Sequence, residues 1–192
     1  MAHQFPRGFK SSCEQIVAQV RSDLGVHAAK PIDMNELADH LCIPMRSLGE
    51  LVAEAGVSAK DPHVEQSYKK VSAITVFRGR RRHFVYNERH SHQRHRSNLA
   101  HEFGHALLLH PPEGESGSHA QDRAHEAEAA WLGGVLMLPD FQALNVARTG
   151  MPIDEATDQY ELSREMLIFR LRATGALKRH PQYLAAAAPT FL

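Results

Sequence analysis

Apolar residues near the start of the chain recur at helical spacing. Ile16, Val17, Val20 and Leu24 predict an amphipathic helix from Ser11 or Ser12 to Leu24, ended by Gly25. A second helix is expected from near Asp33, using Leu37, Ala38 and Leu41. A third, short one follows Pro44 with Leu48, Leu51 and Val52, closed by Gly56. Residues 57–66 are polar and read as a connection. The period then changes: residues 71–77 and 84–86 read as two strands joined across Arg78-Gly79-Arg80. Beyond them the helical period returns. Leu99, Phe103, Ala106 and Leu107 form one stripe, with Ser97 or Asn98 as an early cap and Pro111-Pro112 as the stop. A Gly/Ser-rich loop is expected over 113–119, then a helix from about 122 to 137 that ends before Pro139. Short helices to about 147 and over 154–160 follow, and the last helix runs from Ser163, as cap, to about 173. Residues 1–9 and the alanine-rich tail at 185–188 read as loose ends. Helices, then a hairpin, then helices argue a mainly helical α+β fold.

Composition narrows the field. A chain of 192 residues with 43% hydrophobic and 23% charged residues suits a globular fold with a substantial core, not a disordered segment. It is read as one domain over 1–192, with an N-terminal helical part (10–56), a hairpin with two site helices (67–139) and a C-terminal helical part (140–177). The formal net charge is zero, so a polyanion partner for the whole molecule is not indicated. Cys13 and Cys42 stand far apart and match no metal or redox spacing, as expected of reduced thiols in the cytoplasm. No apolar run of about 18 residues predicts a membrane span, and no export signal is evident at the N-terminus.

The chemistry concentrates in His101-Glu102-Phe103-Gly104-His105. Two imidazoles four residues apart share a helix face, and a carboxylate sits beside the first. That is the arrangement a zinc-dependent hydrolase needs, with two nitrogen ligands and a general base, Glu102. In a chain with 14 histidines, shuffling alone produces the pentad with a probability of about 0.07, so context must decide. The context is the apolar stripe on the opposite side, which leaves the histidines facing a cleft. His110 lies five residues after His105, about 140° round a continued helix, and reads as an ordinary helix-end residue.

A catalytic zinc usually takes a third protein ligand. Glu126 and Glu128 both lie in the early turns of the next helix, about 200° apart. Glu126 shares its face with Ala130 and Gly133, small residues that allow close approach, and is the expected ligand. Glu128, beside Trp131, Leu132 and Val135, is the second choice.

Two other readings compete. Arg78, Arg80, Arg81, Arg82, Arg89, Arg94 and Arg96, with Lys69 and Lys70, form a basic run that suggests either a nucleic-acid surface or a solvated hairpin tip. Residues 36–43 and 163–171 imitate the two parts of a helix-turn-helix, the second with Arg164, Arg170 and Arg172. The alternative function is therefore a non-hydrolytic DNA-binding or metal-sensing regulator, and the blandest is an interaction protein with a degenerate site.

The pattern as a whole resembles the ImmA/IrrE family of metallo-endopeptidases, of M78 type. Asn87, Arg94 and Arg96 lead into Ala100-His-Glu-Phe-Gly-His-Ala-Leu-Leu108, and Glu126-Ala-Glu-Ala-Ala-Trp-Leu-Gly-Gly-Val-Leu-Met-Leu-Pro139 follows. Pro31-Ile32-Asp33 and Leu37-Ala38 are similar to the family's entry helix, and Leu162-Ser163 with Arg170-Leu171 to its closing one. The chain departs from the family at Ala130, where Asn or Asp is usual, at Leu132-Gly133 in place of Phe-Ala, and at Leu109, where a frequent His is displaced to His110. The resemblance implies a zincin-like α+β fold, Zn²⁺ held by His101, His105 and a glutamate, and a cytoplasmic regulatory endopeptidase. Its implied protein substrate is a helix-turn-helix transcriptional repressor.

Overall fold

A computed structural model describes residues 5–58, 60–112, 115 and 118–183. The tail at 185–188, residues 1–4 and residues 113, 114, 116 and 117 of the expected loop lie outside the described residues. In chain order the elements are α1 (Phe9–Asp23), α2 (Met34–His40), β1 (Met45–Ser47), α3 (Leu48–Glu54), α4 (Pro62–Lys70), β2 (Ala73–Arg78) and β3 (Arg81–Tyr86). Then come α5 (His92–Leu107), α6 (His119–Met137), α7 (Asp140–Thr149), α8 (Ile153–Tyr160), α9 (Arg164–Ala173) and α10 (Ala176–Arg179). The fold is mainly helical α+β, as the pattern predicts. The described residues form two compact units: one joins Phe5 and Pro6 with Asp33–Gly133, the other joins Arg7–Ile32 with residues 134–183.

The first unit is built around a three-stranded sheet of order β1-β3-β2. β2 and β3 pair antiparallel, with Thr75 opposite Phe84, and Gly79 at φ 62° makes the turn that a side chain would strain. β1 pairs parallel with β3, with Met45 opposite Phe84. Along β2 the exposure alternates, so Ala73, Thr75 and Phe77 share the less exposed face. Helix α5 packs on β2 and β3, and Phe103 meets Phe84 edge to face at 5.0 Å between ring centroids. Of the stripe expected on α5, Leu99, Phe103 and Ala106 are buried, with Ala100 beside them, while Leu107 at the helix end is half-buried.

Four local features differ from the sequence expectation, the smallest being that the helix after Ser163 is not the last, since the one-turn α10 follows it. Residues 57–66 do not form a simple connection, because Asp61 caps α4 and Pro62 opens it. Only Val64 of that helix is buried, so no apolar stripe advertises it. The segment after Pro44 makes β1 before α3, whose start is fixed by a Ser47–Glu50 capping box. Three residues are too few for alternation to register. Helix α5 begins at His92, capped by the Ser91 hydroxyl accepting from the Arg94 N–H, and not near Ser97 or Asn98. A basic first turn hid that start.

In the second unit α9 is central, contacting α7, α8 and α10. Arg170 is fully buried there. Its Nε donates to the Leu138 carbonyl at 2.7 Å, and one Nη bridges Asp140 at 2.8 Å and Glu14 at 3.1 Å. The buried cation thus answers the open end of α6 and ties α1 to α7. Burial, aided by Asp140, raises the Glu14 carboxyl to about 7, although Arg170 pulls the other way. No helix among the described residues is long and apolar enough to cross a membrane.

Candidate metal centre

His101, Glu102 and His105 all project from α5, two ligating ring types one turn apart with the carboxylate between them in sequence. What completes the site is the approach of α6. The two backbones come close at Gly104 and Gly133. A Cβ on Gly104 would clash with the carbonyl oxygen of Ala129 and stand 2.9 Å from its Cα. One on Gly133 would stand 2.9 Å from the carbonyl oxygen of Ala100. Gly133 therefore does what its position suggested, while Ala130 is exposed and Ala129 makes the contact.

With the helices this close, Glu126 reaches the histidine pair. One carboxylate oxygen lies 3.1 Å from His101 Nε2 and the other 3.1 Å from His105 Nε2. The two Nε2 atoms are 3.2 Å apart. A donor atom from each of the three residues lies within 4.8 Å of the others, a set that can hold a metal ion. The donor chemistry fits zinc or a similar divalent ion: two imidazole nitrogens and a carboxylate oxygen. The separations fit as well, since tetrahedral bonds of about 2.0–2.1 Å put neighbouring donors about 3.3 Å apart. Burial lowers His105 to about 4, against the pull of Glu126, so its ring is neutral near pH 7 and carries a free lone pair.

Glu102 is not among these donors. Its carboxylate accepts from the Thr75 hydroxyl at 2.5 Å, which places it between α5 and strand β2. Burial raises its carboxyl above the ordinary value, partly offset by the Thr75 bond and by His101 and Arg82. A raised carboxyl is the better proton carrier near neutral pH. All of these groups border a cleft of about 510 Å³, whose far wall is β2 through Ile74, Thr75 and Phe77.

Glu128 points elsewhere, to His110 Nε2 at 3.1 Å. His110 Nδ1 in turn lies 3.1 Å from His105 Nδ1. Helical projection puts His110 well away from His105, but the helix has ended. Leu109 adopts φ 57°, its N–H bonds to the Ala106 carbonyl, and the His110 N–H bonds back to the His105 carbonyl. This reversal returns His110 to the site. Thr75, Arg82, His110 and His125 were not singled out as site residues by the sequence. For His110, the only available signal was the displaced family histidine.

The basic run does not form one surface. Arg78, Arg80 and Arg81 are exposed near the hairpin tip. Arg82 instead lines the cleft, stacks on Phe77 and donates to the His110 carbonyl. Arg89 stacks on Tyr68 and pairs with Glu65, and Arg96 is buried. The helix-turn-helix imitation also dissolves: α2 runs on to strand β1, and Arg170 of α9 is a core residue.

A mainly helical α+β protein with a helix-borne histidine pair and a carboxylate in one cleft has the features of a metallopeptidase. The M78 peptidase family, described as the IrrE N-terminal-like domain, matches residues 59–172. That span is more than half of the chain and includes every residue of the centre described above, and the chain belongs to this family of metallopeptidases. No curated protein matches it.

Proposed function

We propose that the protein is a zinc-dependent endopeptidase of regulatory type, with His101, His105 and Glu126 as metal ligands and Glu102 as general base. The observation that carries the reading is the convergence of the two Nε2 atoms and the Glu126 carboxylate, 3.1–3.2 Å apart, with Glu102 beside them and outside the donor set. A zinc ion held there supplies Lewis acidity, activating a water and polarising the scissile carbonyl. Glu102 accepts the proton that the attacking water releases and returns it to the leaving amine. Thr75 holds the carboxylate in place through its hydroxyl. β2 is an edge strand of its sheet and also the cleft wall. An extended substrate segment can pair with it and lie across the centre, its alternate side chains meeting Ile74 and Val76.

The substrate proposed is a helix-turn-helix repressor, cleaved in the cytoplasm to relieve repression, as the family resemblance implies. The rival reading, a non-hydrolytic DNA-binding regulator, has less support, because the first segment that imitates its motif is followed by strand β1 and the second carries the buried Arg170.

The test joins metal analysis to cleavage. The purified, unchelated chain should carry one zinc. Incubated with a repressor encoded beside its own gene, it should yield two fragments by intact mass spectrometry, and Glu102→Gln should yield none. A chain that takes up no metal even when supplied with zinc rules out the peptidase; salt-steep DNA binding that is indifferent to Glu102 would favour the rival.

A further inference from the structure

His110 and Glu128 stand behind His105, outside the donor set, and neither has a part in the proposed mechanism. Their order is fixed by elementary bonding. A carboxylate oxygen accepts, so Glu128 accepts a hydrogen bond from His110 Nε2–H, 3.1 Å away. His110 Nδ1 is then a lone pair and must accept from His105 Nδ1–H, 3.1 Å away. That leaves the Nε2 lone pair of His105 facing His101 and Glu126, the tautomer a metal ligand needs. The His110 side chain is 6% exposed and Glu128 19%, so water does not compete strongly for these bonds. His125 stacks on the His110 ring at 4.3 Å, and Arg82 donates to its backbone carbonyl.

The backbone adds an independent observation. Leu109, 82% exposed, holds a left-handed conformation where glycine is the usual residue. An exposed leucine gains little there for itself. The turn's consequence is that His110 folds back under His105, and conformational cost of this kind clusters where it serves a site.

We propose that Glu128 and His110 are positioning residues that act in series, fixing the tautomer and ring orientation of His105 and so strengthening its grip on the metal. The proposal rests on the reading of His105 as a ligand. It also gives a role to Glu128, which competed with Glu126 for the ligand position: the two glutamates serve opposite nitrogens of one imidazole.

The experiment measures zinc affinity of the full-length protein by chelator competition, together with the visible spectrum of the cobalt-substituted form. His110→Ala and Glu128→Ala should each lower affinity roughly 10- to 100-fold and alter the cobalt bands. The double variant should be no worse than His110→Ala alone, because removing His110 already disconnects Glu128. Glu128→Gln keeps the shape and an acceptor oxygen but not the charge, and should fall between wild type and Glu128→Ala. It decides the matter if the alanine variants do not fold. Wild-type affinity and spectrum in Glu128→Gln and His110→Ala, or losses that multiply in the double variant, would overturn the proposal. A wild-type chain that binds no metal sinks the peptidase reading and the relay together; wild-type binding with unaltered variants sinks the relay alone.

Discussion

Gly104 lies so close to Ala129 that a Cβ at 104 would stand 2.9 Å from the Ala129 Cα and closer still to its carbonyl oxygen. This contact sets the separation of α5 and α6, and with it the reach of Glu126 to the histidine pair. Gly104→Ala gains about 1 kcal/mol in helix propensity, but the obstacle is backbone and cannot rotate away. Overpacking should win, with a net loss of about 1–3 kcal/mol and weaker metal binding as the helices part. Urea unfolding and chelator competition check it. A stabilised variant with undiminished affinity would mean that the helices have room to spare.

Glu102→Gln should keep its metal and lose at least about 100-fold in turnover. Thr75→Val, which is nearly isosteric, removes a hydrogen bond to the ionised carboxylate and so raises the Glu102 carboxyl further. The acid limb of the pH–activity profile should move to higher pH. Profiles that superimpose would show that Thr75 does not touch the working state of Glu102.

His105→Ala and Glu126→Ala should each lose stoichiometric metal, since two donors do not make a site of useful affinity. Glu128→Ala should keep one ion per chain, held more weakly. Elemental analysis after gel filtration distinguishes them. The reverse pattern, with Glu126 dispensable and Glu128 essential, would exchange the roles of the two glutamates.

In the second unit, Glu14 is raised to about 7 from the ordinary 4.5. The folded chain therefore binds more protons here than the unfolded chain does. The stability this group contributes is complete below pH 4.5 and drains as pH rises through 7. Glutamine does not titrate, so between pH 4.5 and 8 the unfolding free energy of the wild type should fall relative to Glu14→Gln by up to about 3 kcal/mol. Chemical denaturation of both proteins across that range reads it directly, and a gap that does not change with pH would leave Glu14 unshifted.

The periodicity of the chain was enough to give the helix-hairpin-helix order, the stripe of α5 and the pentad on its opposite side, because those depend on residues a turn apart. It missed α4, β1 and α10, whose signals are a cap, a three-residue pairing and a single turn without an apolar pattern of their own. It read the arginines as one run, whereas the strand and helix faces disperse them to the hairpin tip, the cleft and the core.

Two ring nitrogens sharing a face and a carboxylate beside them are settled by the sequence, since 3.6 residues per turn leaves no other arrangement for that pentad. Which distant glutamate joins them, that Thr75 reaches Glu102, and that His110 turns back under His105 were decided by the tertiary structure. Those contacts depend on how closely two helices approach at a pair of glycines and on a left-handed leucine past a helix end, distances and a dihedral that no local pattern encodes.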